Sequence, residues 1–262
     1  MKPQLPKGSP LAIALSLAIA FPALAANEGE GHVGTATVAS ANLGAPTDLD
    51  KIEVHGVHVT GYDPKTSRTA TKTDALLRDT PQSITVITRQ HMDDFGLNGI
   101  DDVMRHTPGI TVSTFDTERT NYYSRGFPIQ NFQYDGVPST VRNVAYSAGN
   151  TLSDMAIYDR VEVLKGATGL LTGAGSLGAT INLVRKKPTA DFQGHASLGV
   201  GSWDNYRSEL DVSGPLTETG NVRGRAVAAY QDKHSFMDHY SRKSPTYYGI
   251  MEFDLSPDTL LT

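Results

Sequence analysis

The chain has 262 residues, a formal net charge of -5 and no cysteine. That length holds one ordinary core plus something smaller. The acidic balance argues against nucleic acid, which asks for a basic patch, and stability has to come from packing or a closed sheet because no disulfide can form.

Residues 1–25 read as a secretory signal. Lys2 and Lys7 supply the positive end, 11–21 is an apolar run, and Ala23-Leu24-Ala25 is a small-residue cleavage site. The apolar run is too short to span a bilayer as a helix, so the mature chain is expected to start at Ala26 or Asn27. Residues 26–72 read as a flexible leader, small and polar at first. Within it, Leu49, Asp50, Lys51, Ile52, Glu53 and Val54 form a short β-prone run. Such a run is either a first strand or a peptide that adds to a partner's sheet edge. His55 and His58 follow in an extended stretch and fall on opposite sides. The eight histidines show no metal-ligand spacing.

Residues 73–188 carry the signature of a compact α/β domain. SITVIT (83–88) is a strand, and 90–106 holds two short helical pieces around Gly96 and Gly99, with Asn98 the expected N-cap of IDDVMRH. Thr107-Pro108-Gly109 ends the second helix and leads into the strand ITVST. Tyr134-Asp135-Gly136-Val137-Pro138 reads as a turn. RVEVL (160–164) and TINLV (180–184) are β-branched strands joined through Gly166, Gly169, Gly173, Gly175 and Gly178.

Residues 173–178 spell G-x-G-x-x-G. A dinucleotide site needs those glycines directly after a strand and opening a helix. Here they stand nine residues past Leu164 and lead into a strand, and no G-K-[ST] follows. The glycines instead suit a loop that lies close against another surface.

From 189 the pattern changes to long alternation. Tyr206, Ser208, Leu210 and Val212 oppose Arg207, Glu209, Asp211 and Ser213. Val222, Gly224, Ala226, Ala228 and Tyr230 oppose Arg223, Arg225, Val227, Ala229 and Gln231. Tyr247, Gly249, Met251, Phe253 and Leu255 oppose Tyr248, Glu252 and Asp254, and Ala196, Leu198 and Val200 repeat the pattern weakly. Segments of about ten residues, apolar out and polar in, mark outer-membrane barrel strands. A soluble β-sandwich also alternates, but export, aromatics near strand ends and Arg/Glu on the inner face favour the barrel. Residues 201–205 and 232–246 are the expected outer loops, and 214–220 and 256–259 the inner turns.

With these motifs in order, the chain resembles the TonB-dependent outer-membrane receptors, in their ferric-siderophore branch. The resemblance rests on TPQSITVIT (80–88), DDVMRHTPGITV (101–112), SRGF (124–127), YDGVP (134–138), the stretch 159–188 and 201–232, and runs from Leu49 to Thr262. It implies an α/β plug domain, a small mixed sheet with short helices over 73–188. The first four or so antiparallel strands of a 22-stranded transmembrane β-barrel would follow over 189–262. The family's barrel needs several hundred residues more, so the chain reads as an N-terminal fragment that cannot close a barrel alone. The leader is too short for the signalling domain of some relatives, which points to uptake without gene signalling.

The resemblance also implies partners and roles. Leu49, Asp50, Lys51, Ile52, Glu53 and Val54 sit where the family's TonB box pairs with the energy-coupling protein TonB. Arg125 and Lys165 sit where basic plug residues meet glutamates of the barrel wall, although Lys165 replaces the usual Arg and turns a fork into a point charge. Apical plug loops would bind the ferric siderophore, hydroxamate-type favoured, through Arg119, Tyr122, Gln130, Arg142 and Tyr146. Iron would arrive as cargo inside its chelator, so the protein needs no cofactor and no metal ligands of its own. Receptors for haem, cobalamin or sugar are the alternatives within the class. An exported hydrolase is the alternative outside it, but no G-x-S-x-G elbow or other catalytic constellation is present. The expected setting is the outer membrane of a Gram-negative cell, as a monomer embedded in outer-membrane lipid.

Overall fold

The computed structural model describes residues 61–71, 75–116, 118–140, 153–166, 177–256 and 259–262. All of them belong to one compact unit, Glu53–Thr262. The signal, the expected TonB box and Gly169, Gly173 and Gly175 lie outside the described residues.

The elements run β1 (Thr66–Ser67), β2 (Ala75–Leu76), β3 (Ser83–Thr88), α1 (Arg89–Asp94), α2 (Ile100–His106), β4 (Ile110–Thr114), β5 (Thr120–Ser124), β6 (Phe127–Pro128), β7 (Asn131–Tyr134) and β8 (Val137–Thr140). After these come β9 (Tyr158–Lys165), β10 (Ala179–Arg185), β11 (Gln193–Gly201), β12 (Asn205–Pro215), β13 (Val222–His234), β14 (Ser241–Ser256) and β15 (Thr259–Leu261).

The central sheet of the first half has the order β3-β9-β10-β7-β8. Only β10 and β7 run parallel, so the sheet is mixed as expected. Two of its three interior strands are RVEVL and TINLV extended by a few residues, and they pair antiparallel across the glycine-rich connection. Alternation along them sends Val161, Val163, Ile181 and Leu183 to one face. There they meet Met92 of α1, then Ile100, Val103 and Met104 of α2, spaced i, i+3, i+4, and Tyr122, Ile129 and Phe132. Each such side chain stabilises the fold by about 1.5–3 kcal/mol when fully buried. Asp135 and Gly136, both at positive φ, make the tight turn between β7 and β8.

One cap differs from expectation. Gly99, not Asn98, occupies the N-cap of α2. The Asn98 carbonyl instead accepts from Met155 N at 2.9 Å, and the Asp102 carboxylate reaches back to Gly99 N at 3.0 Å. Tertiary bonding to the segment before β9 takes Asn98 out of the capping position.

The second half is a single antiparallel meander, β11-β12-β13-β14-β15, four long strands and the three-residue β15. Arg207, Asp211 and Ser213 are buried, whereas Tyr206, Leu210 and Val212 are exposed. The same holds on β13, where Val227 and Ala229 are buried and Tyr230 is exposed, and on β14, where Glu252 is buried and Tyr247 and Met251 are exposed. A sheet with buried charges on one face and bare apolar residues on the other is a wall built for lipid outside. Among the described residues the meander does not close on itself. The expected outer loop 232–246 is corrected to 235–240, because β13 and β14 stay paired from Asp232↔Lys243 to His234↔Ser241. Polar residues there satisfy the ladder as well as apolar ones do, so composition misjudged the strand ends.

Candidate plug–wall interface and apical site

The two halves meet through charges. β10 ends at Arg185, and Lys186 follows with only 4% of its surface exposed. Its backbone N–H donates to the Ile157 carbonyl at 2.9 Å. Its Nζ reaches Asp211 at 2.8 Å and Glu209 at 3.6 Å, both on β12. Arg225 of β13 grips the same Asp211 with Nε and Nη2, at 2.8 and 2.7 Å, and donates Nη1 to the Lys187 carbonyl at 2.9 Å. Arg207 forks onto Asp154 at 2.7 and 2.8 Å and also touches Glu209 at 3.2 Å. Tyr248 of β14 donates to the Lys186 carbonyl at 2.9 Å.

The result is an alternating ladder: Asp154, Arg207, Glu209, Lys186, Asp211, Arg225. Every buried charge on it has an opposite partner, which buried ions require. A small apolar patch of Ala156, Val227 and Ala229 packs beside it. Asp154 has a second task, accepting from Ala156 N at 2.8 Å to cap the short 3-10 turn Met155–Ile157. These residues were missed as a site by sequence reasoning. Their signal was the Arg/Glu/Asp alternation on the polar faces of 206–213 and 222–231, which identified a face but not the plug-side partners.

Arg125 and Lys165 do come together. Arg125 and Gly126, both at positive φ, form the tip between β5 and β6. The Arg125 guanidinium lies against Gly166, with Nη1 3.0 Å from where a Cβ would stand. Lys165, at the end of β9, donates to the Pro108 carbonyl at 2.8 Å. Burial, and next the charge of Arg125, push the Lys165 ammonium below its usual pKa. Neither cation has a carboxylate partner among the described residues.

The glycines explain part of this packing. Gly178 has no room for a side chain, since a Cβ would sit 2.9 Å from the Phe127 carbonyl oxygen and 3.0 Å from that of Pro128. The loop is closed at its base by Gly166 N donating to the Gly178 carbonyl at 2.9 Å.

The apical residues separate into three groups. Arg119, partly buried, pairs with Asp116 in the loop between β4 and β5 and lies over the Phe115 ring at 5.4 Å. The bond to Arg119, followed by the Glu118 backbone N–H, lowers the Asp116 carboxyl to about 2. Tyr240, from the loop between β13 and β14, donates to Glu118 at 3.1 Å and ties wall to plug apex. Gln130 is partly buried just before β7.

Tyr122 is corrected. It is 0% exposed in the core, and its hydroxyl donates to Asp101, which also accepts from Thr120 at 2.9 Å. Burial, and next the Asp101 charge, raise its pKa and keep the phenol protonated. Alternation along β5 turns Tyr122 inward, so it offers no surface to a ligand. Arg142 and Tyr146 lie outside the described residues.

Known proteins match this arrangement. Residues 76–180 fit the family model described as the TonB-dependent Receptor Plug Domain. The ferripyoverdine receptor of Pseudomonas aeruginosa is 81% identical over 201 residues, 77% of this chain and 25% of that protein. The ferric-pyoverdine 358 receptor of Pseudomonas putida is 45% identical over 236 residues, 90% of this chain and 28% of that protein. The crystal structure of the Pseudomonas aeruginosa ferripyoverdine receptor bound to ferripyoverdine superposes with a TM-score of 0.74 at 80% identity, covering 76% of this chain and 26% of that one. The chain thus spans about a quarter of the length of the curated relatives it matches. These relatives are receptors, not enzymes. A mixed plug sheet riveted by buried ion pairs to a lipid-facing wall, with these matches, means that the chain belongs to the TonB-dependent outer-membrane receptors.

Proposed function

We propose that this chain is the plug and opening wall of a receptor that imports a ferric siderophore of the pyoverdine class across the outer membrane. The observation that carries the reading is the 81% identity to a ferripyoverdine receptor over most of the chain. That identity supports pyoverdine and lends no support to the hydroxamate preference. Arg119 and Gln130 remain the described candidates for ligand contact. A cation beside an aromatic ring suits an anionic chelate. Arg142 and Tyr146 stay candidates on the resemblance alone. Uptake would be driven through TonB pairing with residues 49–54.

Arg125 and Lys165 are proposed to latch onto acids of the wider barrel. Two neighbouring cations without a described counter-ion, one of them held at positive φ, suit a partner supplied from outside the plug.

The test is ferric-ligand titration and radio-iron uptake by cells producing the receptor that contains this chain, with and without a protonophore. Saturable ferripyoverdine binding and uptake that the protonophore abolishes are expected. Binding of haem or cobalamin, with none of ferripyoverdine, overturns the reading.

A further inference from the structure

Residues 61–71 are strapped onto the plug, and one buried carboxylate gathers Ser67 and Thr69 of the strap. Across the sheet, Glu162 stands opposite Asn182 and Asn182 opposite Gln133. This polar row occupies the face away from the apolar core, and the three residues are 0%, 2% and 1% exposed. Oε1 of Glu162 accepts from Arg160 Nε, two residues away on its own strand, at 2.7 Å. Oε2 accepts three bonds from the strap, from Ser67 Oγ at 2.5 Å, Thr69 N at 3.2 Å and the Thr69 hydroxyl. Asn182 adds a bond to Thr69 Oγ1 at 3.0 Å. Upstream, the Gly61 carbonyl accepts from Thr88 at 2.7 Å. Gln133, the third member of the row, has neither amide atom hydrogen-bonded, so this face is not fully satisfied even when covered.

The exit from the plug is built differently. There Arg207 and Arg225 each hold a carboxylate through two nitrogens. Fork geometry loads both bonds together. The strap's bonds to Glu162 converge on one carboxylate oxygen, and a pull from upstream reaches Gly61 before Ser67 and Thr69.

We propose that Glu162 is the release point of the plug, gathering Ser67 and Thr69 of the strap on Oε2. When the leader is pulled, Oε2 gives up Ser67 and Thr69 to water, while Oε1 keeps Arg160. The carboxylate is therefore never left buried without a cation, which is the outcome that would otherwise forbid release. Residues 61–71 peel away first, and the Lys186–Asp211 and Arg207–Asp154 pairs hold the other end. Glu162 acts as a positioning residue, and its role rests on the transport reading above.

Thr69→Val in the full-length receptor tests this, with Ser67→Ala as a second variant that leaves the Arg160–Glu162 pair intact. Hydrogen exchange at the 66–70 amides should rise about tenfold, the equivalent of losing one hydrogen bond to a charged group. Exchange in β9 and β10 and ferripyoverdine affinity should not change. Uptake should persist at protonophore doses that stop the wild type. Unchanged exchange at 66–70, or equal acceleration in β9 and β10, overturns the strap assignment. Faster strap exchange with the wild-type protonophore dose dependence overturns the release role. Wild-type cells that bind ferripyoverdine but never take up iron sink the transport reading itself, and leave the exchange result standing.

Discussion

Arg207 on β12 holds both oxygens of Asp154, at 2.7 and 2.8 Å, where the wall meets the plug. Both side chains are about 90% buried. Replacing Arg207 with Met strands a buried carboxylate, which costs about 3–5 kcal/mol. Denaturant unfolding of the receptor should show that loss in the transition of the plug. Asp154→Asn keeps the acceptor for Ala156 N and should cost less. A loss below about 1 kcal/mol in Arg207→Met would mean that the pair is not holding the two halves together.

Gly178→Ala forces a methyl group onto two backbone carbonyls that cannot swing aside, at 2.9 and 3.0 Å. Overpacking of this kind costs about 1–3 kcal/mol. Gly194→Ala in β11 is the control, because its Cβ would meet nothing within 4 Å. Equal melting temperatures for the two variants would contradict the close packing of the glycine-rich loop.

Mild acid should loosen the start of the strap. His91 lies between Tyr62, Phe95 and His106, with ring centroids 5.2, 4.9 and 5.2 Å away. Burial and then the charge of His106 lower its pKa, against a smaller opposing pull from Asp94. The fold therefore prefers neutral His91. Its contribution is complete above the unfolded value of 6.5 and is lost as pH falls below it. Exchange at the 61–63 amides should quicken between pH 7.5 and pH 5, and His91→Gln should flatten that dependence.

Tyr122→Phe separates a structural tyrosine from a ligand contact. Losing its hydroxyl from Asp101 should cost about 1.5 kcal/mol of plug stability. Ferripyoverdine affinity should stay unchanged in fluorescence titrations. A tenfold loss of affinity with stability intact would restore Tyr122 to the binding site.

Ile52→Pro removes a backbone donor from the expected TonB box. Energised uptake should disappear while surface binding of the ferric ligand persists. Parallel loss of both would count against TonB pairing at 49–54.

Much of the architecture was readable in the chain because it is local. Alternation along 206–213 named the buried and lipid-facing residues of β12 one by one, since side-chain direction in a strand depends only on neighbours two positions away. The turn at Asp135-Gly136 and the strand pair around the glycine loop were legible for the same reason. What failed was long-range. The N-cap moved from Asn98 to Gly99 because Met155, more than fifty positions on, claimed the Asn98 carbonyl. Tyr122 faces the core and not the apex, and nothing in TNYYS says which face of β5 meets the core.

By itself, the sequence determined a cysteine-free chain with an α/β first half and a second half of alternating strands, because periodicity and glycine placement act over a few residues. Only the tertiary structure decided which charges meet. Asp154 finds Arg207, Lys186 finds Asp211, and Glu162 gathers Ser67 and Thr69 from the far side of the sheet. Such pairings are set by strand register and by which elements the tertiary fold brings together, and no local pattern encodes them.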